Sequence, residues 1–196
     1  MKALADFVFE AGMLKKMVRT GYAFLGGGRE TVAEHSFRAA LIGYWLALEQ
    51  PGLDAARVAL MLLHHDLAEA RTGDLNYVNK RYCQADEAKA LDHATRRLAP
   101  ALAGRVRELV EEFNAGQSPE AQLAHDADQI DFMVELKEQW DQGNPNAERW
   151  LFYALKRIRT QAGRQLAEAV LEAKWSDWWF EDREELWVRN GDRQPR

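Results

Sequence analysis

Apolar residues recur along the chain at three- and four-residue intervals, the period of a helix with one buried face. In residues 3–17 they fall at Phe7, Phe9, Met13, Leu14 and Met17. Prolines number only five, β-branched runs are absent, and Ala, Leu, Glu and Arg dominate, so the pattern predicts helices almost throughout. The stretch TGYAFLGGGRE, with three consecutive glycines, reads as a loop. Thr31-Val32-Ala33-Glu34 has the spacing of a capping box and starts a helix that runs to about Leu48. QPGLD is a turn with Asp54 as the N-cap of the next helix. That helix, Ala55 to about Arg71, is apolar nearly all round and is therefore expected to be central. TGD ends it, with Gly73 suited to a left-handed C-terminal position.

LNYVNKRY reads as a loop or a short helix, followed by helices over about 84–99 and 101–114. Ser118-Pro119 places a cap residue before a proline at the first helical position, and starts a helix that runs to about Trp140. Its core stripe is Leu123, Ala127, Ile130 and Val134. QGNPN ends it, and two more helices fill 147–173, divided near Gly163, and part of the tail. No repeat, linker or composition shift marks a boundary, so residues 1–196 are expected to form one all-α domain. Its core spans about 10–140, with C-terminal helices over about 147–190 packed on it.

The formal charge of −5 comes without a basic stripe, which argues against nucleic acid as a partner. Cys83 is the single cysteine, so no intramolecular disulfide forms, and a packed or idle thiol in a reducing cytoplasm is expected. The N-terminus lacks the pattern of a signal peptide, and no apolar run approaches the ~18 residues of a membrane span. Four of the seven tryptophans lie in the tail WSDWWFEDREELW. Trp175, Trp178 and Trp179 are expected to cover part of the core, the alternative being a subunit interface.

One stretch breaks the apolar pattern. In LLHHDLAEARTGDL the central helix carries His64, His65, Asp66 and Glu69. A buried charge is costly unless it is paired or bound to a metal. On a helix, Glu69 shares a face with His65 and Asp66, four and three residues before it. A His-Asp pair against a divalent cation removes the cost, since the cation offsets the carboxylate and binds neutral imidazole. Two adjacent ligands cannot complete a coordination sphere, so other helices must contribute. His35 in TVAEHS opens a different helix, and Asp128 in HDADQID flanks the core stripe of a third. His93 sits on a mixed, exposed surface. His64 points about 100° away from the motif and reads as a packed or supporting residue. His125 reads as a surface histidine rather than a ligand to a second metal.

The order AEHS, HHD, AEARTGD and DAD, spread over three helices, resembles the HD-domain superfamily of metal-dependent phosphohydrolases, and within it the 5'-deoxynucleotidase-like branch. The resemblance covers about residues 10–140. It implies a compact multi-helix bundle in which His35, His65, Asp66 and Asp128 ligate one divalent metal. This mixed N/O set suits Mn, Co, Fe or Zn. It further implies that Glu69 handles protons, as base toward water or acid toward the leaving oxygen, and that Arg19 holds phosphate oxygens. Asp74 orients the substrate, and Lys80 adds positive charge unless it and Arg81 are simply solvated. A homodimer is implied too. In the best-understood members a tryptophan follows the upstream Arg, whereas Thr20 follows Arg19 here. The expected activity is hydrolysis of (deoxy)nucleoside 5'-monophosphates. The alternatives are another small phosphoester or a nucleoside triphosphate as substrate, and a binding module with a structural metal.

Overall fold

The structure, a computed structural model, describes residues 1–180. Helices α1 (Lys2–Ala11), α2 (Tyr22–Leu25), α3 (Val32–Leu48), α4 (Ala55–His64), α5 (Glu69–Thr72) and α6 (Glu87–Thr95) come first. They are followed by α7 (Pro100–Ala115), α8 (Pro119–Asp141), α9 (Asn146–Leu155), α10 (Gln161–Glu172) and α11 (Asp177–Phe180). Short 3₁₀ turns lie at Gly12–Lys16 and Asn79–Arg81. Among the described residues there is no strand, only one isolated antiparallel bridge between Val18 and Thr31. The fold is all-α, as the apolar period predicts.

Local signals place several helix starts. Thr31 accepts from the Glu34 backbone N–H, and Glu34 accepts from that of Thr31, completing the capping box of α3. Asp54 caps α4 and Ser118 caps α8, with Pro119 in the first turn. α3, α4 and α8 form the centre, their inner faces meeting at Ala39, Ile42, Val58, Met61, Leu62, Ala127, Ile130 and Met133. A Cβ on Gly43 would collide with Leu62 and Val58, so glycine lets α3 and α4 approach closely. A smaller cluster of Leu14, Val32, Leu67, Leu91, Val106 and Val110 packs beside it.

Several expectations are corrected. The helix from Ala55 does not continue to Arg71. It stops at His64, residues 65–68 form turns, and a four-residue helix follows. The N–H groups of Leu67, Glu69, Ala70 and Arg71 bond carbonyls three residues back, which tightens the chain where the charged residues sit. The stretch TGYAFLGGGRE, expected as a loop throughout, contains a short helix, α2, before its glycines. α6 begins at Glu87, behind an Asp86 cap, rather than at 84. α9 and α10 divide at residues 156–160, not at Gly163, because Thr160 caps α10, and Asp126 of α8 accepts from the Arg159 and Thr160 N–H groups at 2.8 and 2.7 Å. Gly73 has positive φ, with extended ψ instead of the left-handed value.

Trp178 is 82% exposed and Trp175 37% exposed, so these two do not cover the core. They stack edge-on against Trp179. Trp187 and the expected helix beyond 180 lie outside the described residues. α3 turns Phe37, Tyr44, Trp45 and Leu48 outward.

Candidate metal centre

Three elements deliver the site. α3 carries His35 on its first turn, the tight segment after α4 carries His65 and Asp66, and α8 carries Asp128. The structure brings all four together. His35 Nε2 lies 3.0 Å from Asp128 Oδ1 and 3.8 Å from Asp66 Oδ2. His65 Nε2 lies 3.1 Å from Asp66 Oδ2 and 3.9 Å from Asp128 Oδ1. Metal bonds of about 2.0–2.2 Å leave neighbouring donor atoms roughly 3 Å or slightly more apart, so these spacings suit a cation among the four.

Both imidazoles are aimed by hydrogen bonds at their other nitrogen. His65 Nδ1 is 2.7 Å from the Leu62 carbonyl, and His35 Nδ1 is 2.5 Å from Asp131 Oδ2. The Leu62 carbonyl can only accept, so Nδ1 of His65 carries a proton, and in the neutral imidazole that binds a metal Nε2 offers its lone pair. Asp131 as a carboxylate has the same effect on His35. His35 Nε2 is fully buried and makes no well-directed hydrogen bond despite the nearby Asp128, and Glu69 Oε2 is likewise buried without a partner. Orphaned atoms of this kind call for a ligand.

The electrostatics agree. Burial opposes charge on both histidines, yet the neighbouring carboxylates win. His35 is pushed up to about 10, chiefly by Asp128 and Asp131, and His65 is raised by Asp66. Burial would raise Asp66 and Asp128, but the two imidazoles hold both below the usual carboxylate range. The pair of carboxylates thus demands positive charge between them, which protons or a divalent cation can satisfy. Burial, Asp66 and Asp74 together push Glu69 up to about 9, against Arg19 and Lys80.

The Val18–Thr31 bridge fixes Arg19, whose N–H donates to the Glu30 carbonyl at 2.8 Å. Burial works against the Arg19 charge, but Asp128, Tyr22, Asp66 and Glu30 hold it above its usual value. Asp74 is tied down by Thr20, whose N–H and hydroxyl donate to Asp74 Oδ2 at 2.6 and 2.8 Å. Asn76 in turn donates to the Thr20 hydroxyl at 2.9 Å. The threonine that replaces an expected aromatic is therefore a clasp between the Arg19 and Asp74 segments. Lys80 is exposed at the rim, near enough to weigh on Glu69.

The remaining histidines stay out of the quartet. His64 Nδ1 is held by the Leu60 carbonyl at 2.7 Å. His125 is half-buried rather than a surface residue: it stacks on Phe113 at 4.2 Å, and its Nε2 lies 2.7 Å from the Phe113 carbonyl. His93 is half-buried on α6, not exposed. Sequence reasoning missed Asp131, Arg38 and Glu30. Asp131 and Arg38 each lie three residues after a ligand candidate, one helical turn onward on the same face, and that spacing was the available signal. Glu30 precedes α3 and has no such spacing.

A family model described as an HD domain matches residues 11–170. The 5'-deoxynucleotidase HDDC2 of Danio rerio is 28% identical over 142 residues, 70% of each chain. A conserved hypothetical protein from Pyrococcus furiosus superposes with a TM-score of 0.73 at 29% identity, covering 86% of this chain and 99% of that one. A predicted metal-dependent phosphohydrolase from Magnetospirillum magnetotacticum gives 0.69 at 26% identity, covering 87% and 90%.

Proposed function

The chain belongs to the HD-domain family, and from that premise we propose that it is a metal-dependent 5'-nucleotidase that releases phosphate from (deoxy)nucleoside 5'-monophosphates. The observation that carries the reading is the pair of buried, unpartnered atoms, His35 Nε2 and Glu69 Oε2, beside two carboxylates that demand positive charge. In this reading His35, His65, Asp66 and Asp128 hold one divalent cation, with Mn, Co, Fe and Zn all compatible with two nitrogens and two oxygens. Such a cation supplies Lewis acidity toward water and toward the phosphoryl group. Arg19 binds phosphate oxygens as charge builds on them. Glu69, carrying a proton at neutral pH, delivers it to the leaving 5'-oxygen. Asp74 keeps one oxygen on Thr20 and offers Oδ1 to a sugar hydroxyl. Lys80 adds charge at the mouth. A purely structural metal would explain neither the buried, unpartnered Glu69 oxygen nor a buried Arg19 whose charge is upheld by Asp128 and Asp66.

A nucleotide panel tests this. Phosphate release from the monophosphates is expected to vanish on chelation and to return with one equivalent of Mn or Co per chain. Two ions per active chain would sink the mononuclear assignment, and release from triphosphates alone would move the substrate class. The same panel is expected to show weak sugar discrimination, because Thr20 leaves the space a bulky aromatic would fill. A kcat/KM ratio above ~10³ in favour of deoxy substrates, roughly 4 kcal/mol of differential binding, overturns that.

We also propose that residues 1–196 act as a single domain, to be checked by one cooperative unfolding transition. The family likeness supports a homodimer. The outward Phe37, Tyr44, Trp45 and Leu48 of α3 are apolar surface that a second copy would bury. Light scattering is expected to give twice the chain mass for the wild type and a lower mass for Trp45→Asp. A monomeric wild type refutes the dimer.

A further inference from the structure

Behind His35 runs a largely buried line of charge-assisted hydrogen bonds. His35 Nδ1 meets Asp131 Oδ2 at 2.5 Å. Arg38 Nε donates to the other oxygen, Asp131 Oδ1, at 2.5 Å. Arg38 Nη2 donates to Glu30 Oε1 at 2.8 Å, and the Tyr22 hydroxyl donates to Glu30 Oε2 at 3.0 Å. Arg19 Nε stands 4.0 Å from the same Glu30 oxygen, and its backbone N–H is already bonded to the Glu30 carbonyl. Asp131 is completely buried and Glu30 nearly so.

Glu30, His35 and Asp131 lie close enough together to suggest a second ion. The Arg38 guanidinium already sits among them, with Glu135 and Glu138 each 3.5 Å away, so this cluster has its cation. What the arrangement does is geometric. Arg38 reaches from α3 to α8 with one face of its fork and back to Glu30 with the other, and a planar guanidinium fixes both directions at once. At one end Asp131 commits Nδ1 of His35 and leaves Nε2 to face Asp66 and Asp128. At the other end Glu30 holds Arg19 through its backbone carbonyl and a carboxylate oxygen 4.0 Å away, with Asp128 and Asp66 near enough to uphold the Arg19 charge.

We propose that Asp131, Arg38 and Glu30 form a positioning brace that sets His35 as an Nε2 ligand and Arg19 as the phosphate clamp in one unit, so that metal holding and phosphate binding are coupled. The proposal rests on the roles given above to His35 and Arg19. Each residue of the brace acts through a neighbour: Asp131 through His35, Glu30 through Arg19, and Arg38 through both carboxylates. Coupling of this kind is reciprocal: phosphate tightens the metal by the factor by which the metal tightens phosphate.

The test uses Mn-loaded enzyme, with a chelator competing for the metal and inorganic phosphate as the anion probe. Asp131→Asn keeps the shape but loses the charge, and is expected to weaken metal retention by about 10–100-fold, the usual effect of removing such a partner. Arg38→Lys keeps the charge but loses the fork. It is expected to weaken metal retention and phosphate binding together and to shrink the reciprocal factor. Glu138→Gln removes a carboxylate near Arg38 that is outside the brace, and should leave both affinities nearly unchanged. Arg38 is partly exposed, so its lysine variant carries the test if Asp131→Asn does not fold. A folded Arg38→Lys protein with wild-type metal and phosphate affinities overturns the proposal. So does one in which phosphate binding alone is lost. Weakened metal retention and phosphate binding in a protein that hydrolyses no nucleotide would reject the substrate assignment and leave the brace standing.

Discussion

Asp66→Ala is expected to empty the metal site and reduce activity to that of chelated wild-type protein. Asp66 Oδ2 is 3.1 Å from His65 Nε2 and 3.8 Å from His35 Nε2, so like Asp128 it lies against both imidazoles. Its removal takes away one of four donors and one of the two negative charges that make a cation favourable there. It also leaves His65 without the main partner that raises its pKa, with only Asp128 remaining. The helices should persist, because the side chain lies in the turn between α4 and α5 and supports no apolar packing. Metal analysis alongside circular dichroism checks this. A folded Asp66→Ala protein that still carries one ion per chain would show that Asp66 is not a ligand.

Glu69→Gln is expected to separate catalyst from ligand. The amide keeps shape and reach but cannot transfer a proton, so kcat should fall by about 10²–10⁴-fold, with metal content near normal. Glu69 lies about 9, raised by burial, Asp66 and Asp74. Its active form as an acid is therefore the protonated one, present below that pKa and lost as pH rises through it. A divalent charge beside Asp66 offsets part of the Asp66 contribution, which brings the alkaline limb of the wild-type profile below 9. That limb should disappear in Glu69→Gln. A metal-free Glu69→Gln protein would make Glu69 a ligand. An unchanged kcat would move proton transfer elsewhere, with Asp74 Oδ1 the first alternative, since Thr20 occupies Oδ2.

The helical class and many helix starts were determined by the sequence alone, because their causes are local. A period of 3.6, a Thr31–Glu34 capping box and a Ser118–Pro119 start act within one or two turns. The charged stretch was legible for a related reason: charge inside an apolar run is costly wherever the run packs, and it marked His65, Asp66 and Glu69 before any partner was visible, while His35 and Asp128 were joined to it by the family resemblance. Those partners were a different matter. His35 meets Asp131 across 96 residues, and Thr20 meets Asp74 across 54. No local spacing encodes either pairing. The turn at 65–68 likewise cuts an apolar run whose pattern favours an unbroken helix. There the tertiary structure decided, since the packing of α3, α4 and α8 determines which polar groups share a buried space, and only groups that share it can satisfy or charge one another.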